Sequence, residues 1–586
     1  MLFFKKFKGY SYSIDSFQKD LTAGLIVGVI AIPLGMAFAI ASGVKPEYGI
    51  YTTIIAGFFI SIFGGSKYQI SGPTGAFIPI LFAIVMQYGY ENLLIAGFLA
   101  GIILVLMGLF RLGVLLKYIP RPVTIGFTTG IAVLIFSGQI ANFFGLQNIE
   151  KHEDFISNMT EIFKHIDTVN IYSLIIGITT LLIILTMPKI TTKLPSPIVG
   201  LIVSSILSYL FFEDQVMTIG STFGGIPDTI PTFHLFDISL ERIIMLLKPA
   251  FVIAMLGAME SLLSAVVADG MTGGSHNSNR ELIGQGIGNM IVPFFGGIPA
   301  TGAIARTATN IKSGAVSPVS GAVHALVVLL VLLLFAPYAS HIPLAGIAPI
   351  LMIVAWNMSE RKQFIHVLKT KTGDSVVLII TFLLTLLTNL TTAVEFGLVL
   401  AVILFVKRMS EILTVAKVLP DHLSRHEKLV PHMVYDGHDC PQVSIFTVEG
   451  PLFFGAASLF TKSIMNTINY KPKILLLRMS RVPFIDTTGE SNLSSIVRHF
   501  KDNGGIVLIS GIQKQPVEVL KRTGLYQIIG ENNFFDDVEE AINYALTRLE
   551  KEKCLGCKYY AFRECGSLSE GLKMREELNL IPVKNN

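Results

Sequence analysis

From its start to about residue 410 the chain is a succession of apolar runs separated by short polar loops, and this pattern excludes most soluble folds. About 20 predominantly apolar residues suffice to cross a hydrocarbon core as a helix. About fourteen such runs begin near residues 20, 48, 72, 92, 121, 171, 195, 246, 284, 302, 322, 342, 373 and 391, and several are well short of that length. Composition agrees. Of 586 residues 52% are hydrophobic and only 15% charged, with a mean hydropathy of +0.63, whereas an ordinary globular domain carries about 25% charged residues. The chain reads as a polytopic α-helical membrane protein whose solvent is the lipid bilayer. Its net charge of +4 is small, and no basic, aromatic-interleaved stretch points to nucleic acid.

Charge returns at globular density from Ser410 onward. The expected organisation is an N-terminal segment (1–19), a transmembrane domain (20–409), a linker (410–440), a small α/β domain (441–549) and a cysteine-containing tail (550–586). The opening MLFFKKFKGYSYSIDSFQKD has no small-residue cleavage site, so the first span is expected to act as its own insertion signal. With Lys5, Lys6 and Lys8 on the inside, alternate loops holding Lys67, Arg111, Lys117, Arg121, Lys189, Lys193, Arg280, Lys312, Arg361, Lys362, Lys369, Lys371, Lys407 and Arg408 fall on the same side. The two long opposite loops, 145–170 and 213–245, are rich in acidic residues such as Glu150, Glu153, Asp154, Glu213 and Asp214. By the positive-inside rule the N-terminus and the α/β domain are cytoplasmic, in a cell (inner) membrane.

One span carries its own helix breakers. Residues 69–77 read QISGPTGAF, and irregular backbone at membrane depth is tolerated only where protein buries it or where it lines a watery cavity. The feature returns half a domain later in PATGAIART (299–307), so that Thr74-Gly75-Ala76 has a counterpart in Thr301-Gly302-Ala303. Two short, interrupted segments in corresponding halves point to an inverted-repeat transporter with its substrate between them. A half-helix starting at Pro73 or Thr301 presents free backbone N–H groups and partial positive charge, which suits an anion. Proline fits that first turn because its missing N–H would have had no helical partner. The plainer alternative is that these small residues only let helices pack closely.

Ionisable residues within spans are costly and mark function. Glu260 lies mid-span in FVIAMLGAMESLLSAVVAD, and Arg306 follows the second interruption. Either can neutralise the other. Arg306 is then an anion-attracting charge and Glu260 the carboxylate that takes up a proton or sodium ion, with Ser264 one turn later as a further oxygen ligand. The alternative is a buried ion pair that fixes packing. Asp269 and HNSNRELIGQGIGNM (276–290) read as a solvated loop entering a span, with no chemistry assigned.

SGPTGAF, GAMESLLSAVVADGMTGGSHNSNRELIGQGIGN, GGIPATGAIARTATNIKSGAVSPVSGAVHAL and, near the C-terminus, LLLRMSRVPFIDTTGE resemble the SulP family of anion permeases, whose members carry a cytoplasmic STAS domain. The resemblance spans residues 15 to 549. It implies fourteen segments in two inverted repeats of seven, with a core part moving against a gate part, and small anion substrates that include sulfate, bicarbonate, chloride and dicarboxylates. It further implies transport coupled to protons or sodium in some members and a homodimer. The anion site it implies maps to Thr74, Gly75 and Ala76 in the third segment and Gly302, Ala303, Ile304 and Arg306 in the tenth. Its acidic position in the eighth is Glu260, with Ser264 beside it. Many relatives have Pro-Gln and then Met-Ala-Tyr in the first span. IPLGMAFA here gives Pro33-Leu34 and Phe38, which removes one amide donor from the site and bears on sulfate more than on anion transport.

In the α/β domain, 443–449, 473–479 and 505–510 read as strands, and 456–468, 488–501, 514–521 and 536–549 as helices. FIDTTGE closes a strand and opens a helix that Asp486 or Thr487 caps. In related soluble STAS proteins the neighbouring hydroxyl is phosphorylated, which makes Thr487 a candidate regulatory site. The tail holds Cys554, Cys557 and Cys565. Reduced cytosolic C-x-x-C pairs are metal-binding or redox-active more often than disulfide-bonded, but a metal here needs a fourth ligand from Cys440, His438 or another subunit. No cofactor is expected. With no P-loop, no paired catalytic carboxylates and no histidine cluster, the chain is not expected to be an enzyme. Three readings stand beside a sulfate-type secondary transporter: a sodium-coupled bicarbonate or proton-coupled dicarboxylate carrier, a passive anion channel, and a STAS-linked sensor.

Overall fold

The computed structural model describes residues 12–113, 120–152, 154–191, 195–388, 390–420, 429–430, 434, 438–467, 472–555, 557–559, 561–562, 564–565 and 568. Of the charges used for orientation, Lys5, Lys6, Lys8, Lys117, Lys193 and Glu153 lie outside them. Two compact units, Met1–Ala401 and Val402–Asn586, divide the chain.

Besides the shorter connecting helices Ile140–Phe144, Phe155–Lys164, Ile219–Phe223 and Arg361–Lys369, fourteen described helical segments correspond to the expected starts. They are α1 (Ile14–Ala41), α2 (Pro46–Phe63), α3 (Ile78–Tyr88), α4 (Tyr90–Leu109), α5 (Arg121–Gly138), α6 (Ile171–Ile190) and α7 (Ser196–Phe211), followed by α8 (Leu240–Thr272), α9 (Ser278–Ile291), α10 (Ile304–Lys312), α11 (Val319–Ala339), α12 (Leu344–Met358), α13 (Gly373–Leu387) and α14 (Leu390–Glu411). Among the described residues, seven helices are long and apolar enough to cross a bilayer. The interrupted α3 and α10 have 11 and 9 residues.

Exchanging α1–α7 with α8–α14 maps one set of helix contacts onto another. The α4–α9 contact becomes α11–α2, α1–α11 becomes α8–α4, α5–α13 becomes α12–α6, and α1–α3 becomes α8–α10. Contacts among α1–α4 and α8–α11 make one part and those among α5–α7, α12 and α13 the other, the core and gate division that the resemblance implies. In lipid there is little hydrophobic drive between helices, so close backbone approach through small residues matters more. Where α4 crosses α9, a Cβ at Gly101 would meet the Gly286 carbonyl oxygen at 2.8 Å, and one at Gly286 would meet the Gly101 carbonyl oxygen at 2.6 Å.

The stretch 276–290 differs from its expected solvated loop. From Ser278 it is helix α9, and Glu281, Gln285 and Asn289 lie on it at no more than 1% exposure. The four-residue spacing puts all three on one face.

The second unit holds a five-stranded sheet in the order β3 (Thr414–Lys417), β4 (Val443–Glu449), β5 (Ile474–Arg481), β6 (Ile506–Ser510) and β7 (Phe534–Phe535). The β3 strand is antiparallel to β4, and the remaining pairs are parallel. Residues 414–417, expected as linker, thus form an edge strand, and Phe534–Phe535 adds a strand too short to register as a run. The four expected helices are present as α15 (Ala457–Thr467), α16 (Thr487–Asp502), α17 (Lys514–Thr523) and α18 (Val538–Thr547). Asp486 caps α16, its carboxylate accepting from the Gly489 amide at 2.7 Å. Thr487 is the first helical residue and is exposed, so it is not the cap.

Candidate functional site

The two interruptions meet. Ser71–Gly72 (β1) and Thr301–Gly302 (β2) form a short antiparallel pair, with Ser71 opposite Gly302 and Gly72 opposite Thr301. After β1 the chain passes Pro73 and Thr74 into a 3-10 turn, Gly75–Phe77, and then α3; after β2 it passes Ala303 into α10. Because the strands are antiparallel, the half-helices leave in opposite directions and both N-termini lie at the pair. Neither start has a side-chain cap. The amides of Gly75 and Ala76 on one side and of Ile304, Ala305 and Arg306 on the other therefore lack helical partners. Thr74 is a capping-type residue, but its hydroxyl donates instead to Glu260 Oε2 at 2.8 Å.

The surroundings differ between the two starts. A Cβ at Gly75 would lie 2.8 Å from Met358 Sδ and 3.6 Å from both Ile135 Cδ1 and Val354 Cγ1, so this start faces α5 and α12 of the gate part. Ile304 and Ala305 are exposed, which leaves the start of α10 open. Ala76 is fully buried, and Thr74, Ala303 and Phe38 nearly so; Phe38 packs in the same apolar cluster as Ala76 and Phe77. Gly302 is confined: its Cβ would fall 2.1 Å from Gln69 Nε2. At the strand crossing even a methyl group on Gly302 meets the Gln69 side chain and the Ser261 backbone.

Arg306 and Glu260 form no ion pair in the structure. The Arg306 guanidinium donates from Nη2 to the Pro73 carbonyl, and its Nη1, buried without a hydrogen-bond partner, lies against Gly72. The cation of α10 thus holds the backbone where β1 runs into the third segment and keeps one buried N–H group unsatisfied. Ser264 turns to Thr307, its hydroxyl donating at 3.1 Å to Thr307 Oγ1, which in turn accepts from the Ile70 amide at 3.0 Å. That places Ser264 in the packing between α8, α10 and β1, with Thr74 as the oxygen neighbour of Glu260.

A polar scaffold holds the crossing in register, and the sequence reading missed it. The Glu281 carboxylate accepts from the Gly65 and Ser66 amides at 2.7 and 2.9 Å and from Gln69 Nε2 and Gln285 Nε2 at 2.8 and 2.9 Å. Gln285 Nε2 also donates to Ser71 Oγ at 3.0 Å. Asn289 pairs with Ala300 both ways, donating to its carbonyl and accepting from its amide at 2.8 Å each. Asn310 donates to the Tyr68 carbonyl and to Ser320 Oγ at 2.9 Å each. The signal available in the sequence was the i, i+4, i+8 spacing of Glu281, Gln285 and Asn289 in a glycine-rich helix. A cavity of about 750 Å³ lies elsewhere, lined mainly by apolar residues such as Ile32, Leu201, Val328 and Phe335, with Ser205, Tyr209, Tyr338 and His341 as its polar groups.

The sulfate permease family model matches residues 17–381 and the STAS domain model residues 437–541. YvdB of Bacillus subtilis (strain 168), which carries the name "putative sulfate transporter", is 54% identical over 540 residues, covering 92% of this chain and 99% of its own. The bicarbonate transporter BicA of Synechocystis is 31% identical over 553 residues, covering 91% of this chain and 95% of its own. The murine Slc26a9 anion transporter, solved in the inward-facing state, shares the fold with a TM-score of 0.83 at 19% identity, over 93% of this chain and 94% of that one.

Proposed function

The chain belongs to the sulfate permease family, and from that premise we propose that it is a secondary active transporter of a small inorganic oxyanion, sulfate in the first instance. The observation that carries this reading is the meeting of two uncapped half-helix N-termini at the β1–β2 pair. Five backbone amides and one guanidinium converge there, a donor set suited to a tetrahedral or trigonal oxyanion. Thr74, Gly75 and Ala76 form one wall and Ala303, Ile304 and Arg306 the other. Movement of the core part against α5 and α12 then exposes the anion to alternate sides.

Glu260 is the coupling residue in this account. Its hydrogen bond to Thr74 ties any change in its protonation, or any cation it holds, to the wall that contacts the anion. The same geometry supports proton or sodium symport. The hydroxyl and carboxylate oxygens side by side suit a sodium ion, and that favours sodium-coupled bicarbonate transport as the second reading. In either case the N-terminus and STAS domain face the cytoplasm, the membrane is the cell membrane, and the working unit is a homodimer.

The test is uptake of labelled sulfate, bicarbonate and succinate into proteoliposomes under imposed proton and sodium gradients. Saturable sulfate uptake driven by one gradient supports the first reading, and bicarbonate uptake driven by sodium the second. Absence of saturable uptake for every anion contradicts both.

A further inference from the structure

Residues 359–372, which join α12 to α13, read SERKQFIHVLKTKT. Four formal cations and a histidine stand there beside a single carboxylate, and a stretch that turns between two membrane helices has the bilayer surface as its place. The chain leaves α12 through Glu360, whose φ of +36° is a left-handed conformation that costs a residue with a Cβ. Beyond that turn the connecting helix Arg361–Lys369 packs against α5 and α13 of the gate part.

The helix has an inner and an outer face. Inward, Phe364 meets Phe382 of α13 edge to face, with ring centroids 5.4 Å apart, and the Val367 carbonyl accepts from Ser375 Oγ at 2.7 Å. Outward, Arg361, Lys362, Ile365, His366 and Lys369 are exposed, as is Lys371 just beyond. Arg121, exposed at the start of α5, joins them from the side, donating from Nη2 to Gln363 Oε1 at 3.4 Å. Among the described residues no carboxylate lies within ion-pair distance of Arg121, Arg361, Lys362, Lys369 or Lys371.

Trp356 fixes the depth of this platform. It is the only tryptophan of the chain and lies 52% exposed near the end of α12. The Arg361 guanidinium stacks on its ring, 3.6 Å from the centroid. Indole rings favour the headgroup layer, where one side is apolar and the other wet. A guanidinium stacked on such a ring keeps its in-plane N–H groups free for a phosphate. A merely solvated basic face needs neither the indole nor Ile365, which is 51% exposed among the cations. An amphiphile uses both.

We propose that Arg121, Arg361, Lys362, Lys369 and Lys371, gathered around Trp356, form a site for the headgroup of an anionic phospholipid of the phosphatidylglycerol class. The lipid phosphate takes the stacked guanidinium and the neighbouring ammonium groups, while its acyl chains lie along Trp356 and Ile365. Because the helix is packed on α5 and α13, the bound lipid anchors the gate part at the bilayer surface. The site stands whatever anion the protein carries, since its binding is read without transport.

The test is lipid retention by the full-length protein, released from detergent inside a mass spectrometer after incubation with equal amounts of phosphatidylglycerol and phosphatidylcholine of the same acyl chains. Phosphatidylglycerol is expected to be retained at least about fivefold over phosphatidylcholine, as several cations acting on one anionic headgroup require. The triple variant Arg361→Gln/Lys362→Gln/Lys369→Gln changes only exposed side chains and should lose that preference while eluting as the wild type does. The control Lys514→Gln/Lys521→Gln/Arg522→Gln, which removes three exposed cations of the STAS domain, should keep it. Excess inorganic phosphate should leave the lipid in place, because a soluble anion lacks the acyl contacts. Equal retention of the two lipids by the wild type, or displacement by inorganic phosphate, would overturn the proposal. So would a preference lost in the control or unchanged in the first triple variant, the last result leaving this surface to an acidic protein partner.

Discussion

Replacing Glu281 tests whether the polar scaffold, and not only apolar packing, holds the half-helices at their crossing. Its carboxylate receives four donors, two of them the backbone amides of Gly65 and Ser66. In Glu281→Leu the Gln69 and Gln285 side chains can turn, but those two amides have nowhere to go, and at about 1–3 kcal/mol for each buried unsatisfied donor the cost is about 2–6 kcal/mol. In Glu281→Gln an amide oxygen still accepts from both backbone amides, and the new NH2 group faces Gln69 and Gln285, whose own Oε1 atoms are unpartnered. Both glutamines then accept after a flip. Only charge assistance is lost, a cost of about 1–2 kcal/mol. Asp15→Asn is the control: its salt bridge to Lys19 is an exposed i,i+4 pair, worth under about 0.5 kcal/mol. Unfolding of the purified protein by graded addition of a denaturing detergent, followed by near-ultraviolet circular dichroism, should rank Leu well below Gln and Gln slightly below the control. A leucine variant within about 1 kcal/mol of wild type, or a glutamine variant as damaged as leucine, would refute the reasoning, since two orphaned donors alone cost more than that.

Other outcomes follow from the site. Arg306→Ala removes a charged donor worth about 1.5–3 kcal/mol, so the KM for anion uptake should rise about 10- to 100-fold, read from concentration-dependent uptake. Glu260→Gln should leave anion exchange measurable while abolishing acceleration by a proton or sodium gradient; uptake that still follows the gradient removes Glu260 from coupling. Gly75→Ala meets the flexible end of Met358 and should insert normally with reduced uptake, whereas Gly302→Ala meets Gln69 and the Ser261 backbone and should lower the yield of folded protein. Size-exclusion profiles alongside uptake separate the two effects.

Much of the architecture was legible because membrane segments are announced by composition, and the fourteen expected starts all fall at helical segments. The meeting of the two interruptions was legible for a related reason: SGPTG and PATG are rare choices in hydrocarbon, and their recurrence pairs them. What could not be read was which partner each polar group takes. Opposite charges suggested an Arg306–Glu260 pair, but the guanidinium reaches the Pro73 carbonyl and the carboxylate takes the Thr74 hydroxyl. Those choices depend on where α8 and α10 cross, which local sequence does not encode. The Glu281, Gln285 and Asn289 stripe was mistaken for a solvated loop because low hydropathy looks the same whether water or a buried backbone satisfies it. Likewise β3 is too short and too polar to stand out, and only its pairing with β4 makes it a strand.

The most direct test of the central claim is where an anion sits. Crystals of the protein grown with selenate, an anomalous scatterer that mimics sulfate, should show a single strong peak between the two half-helix starts, with the selenate oxygens within about 3 Å of the amide nitrogens at Gly75–Ala76 and Ile304–Arg306. Saturable selenate transport accompanied by an occupied site anywhere else, with this junction empty, would contradict the account.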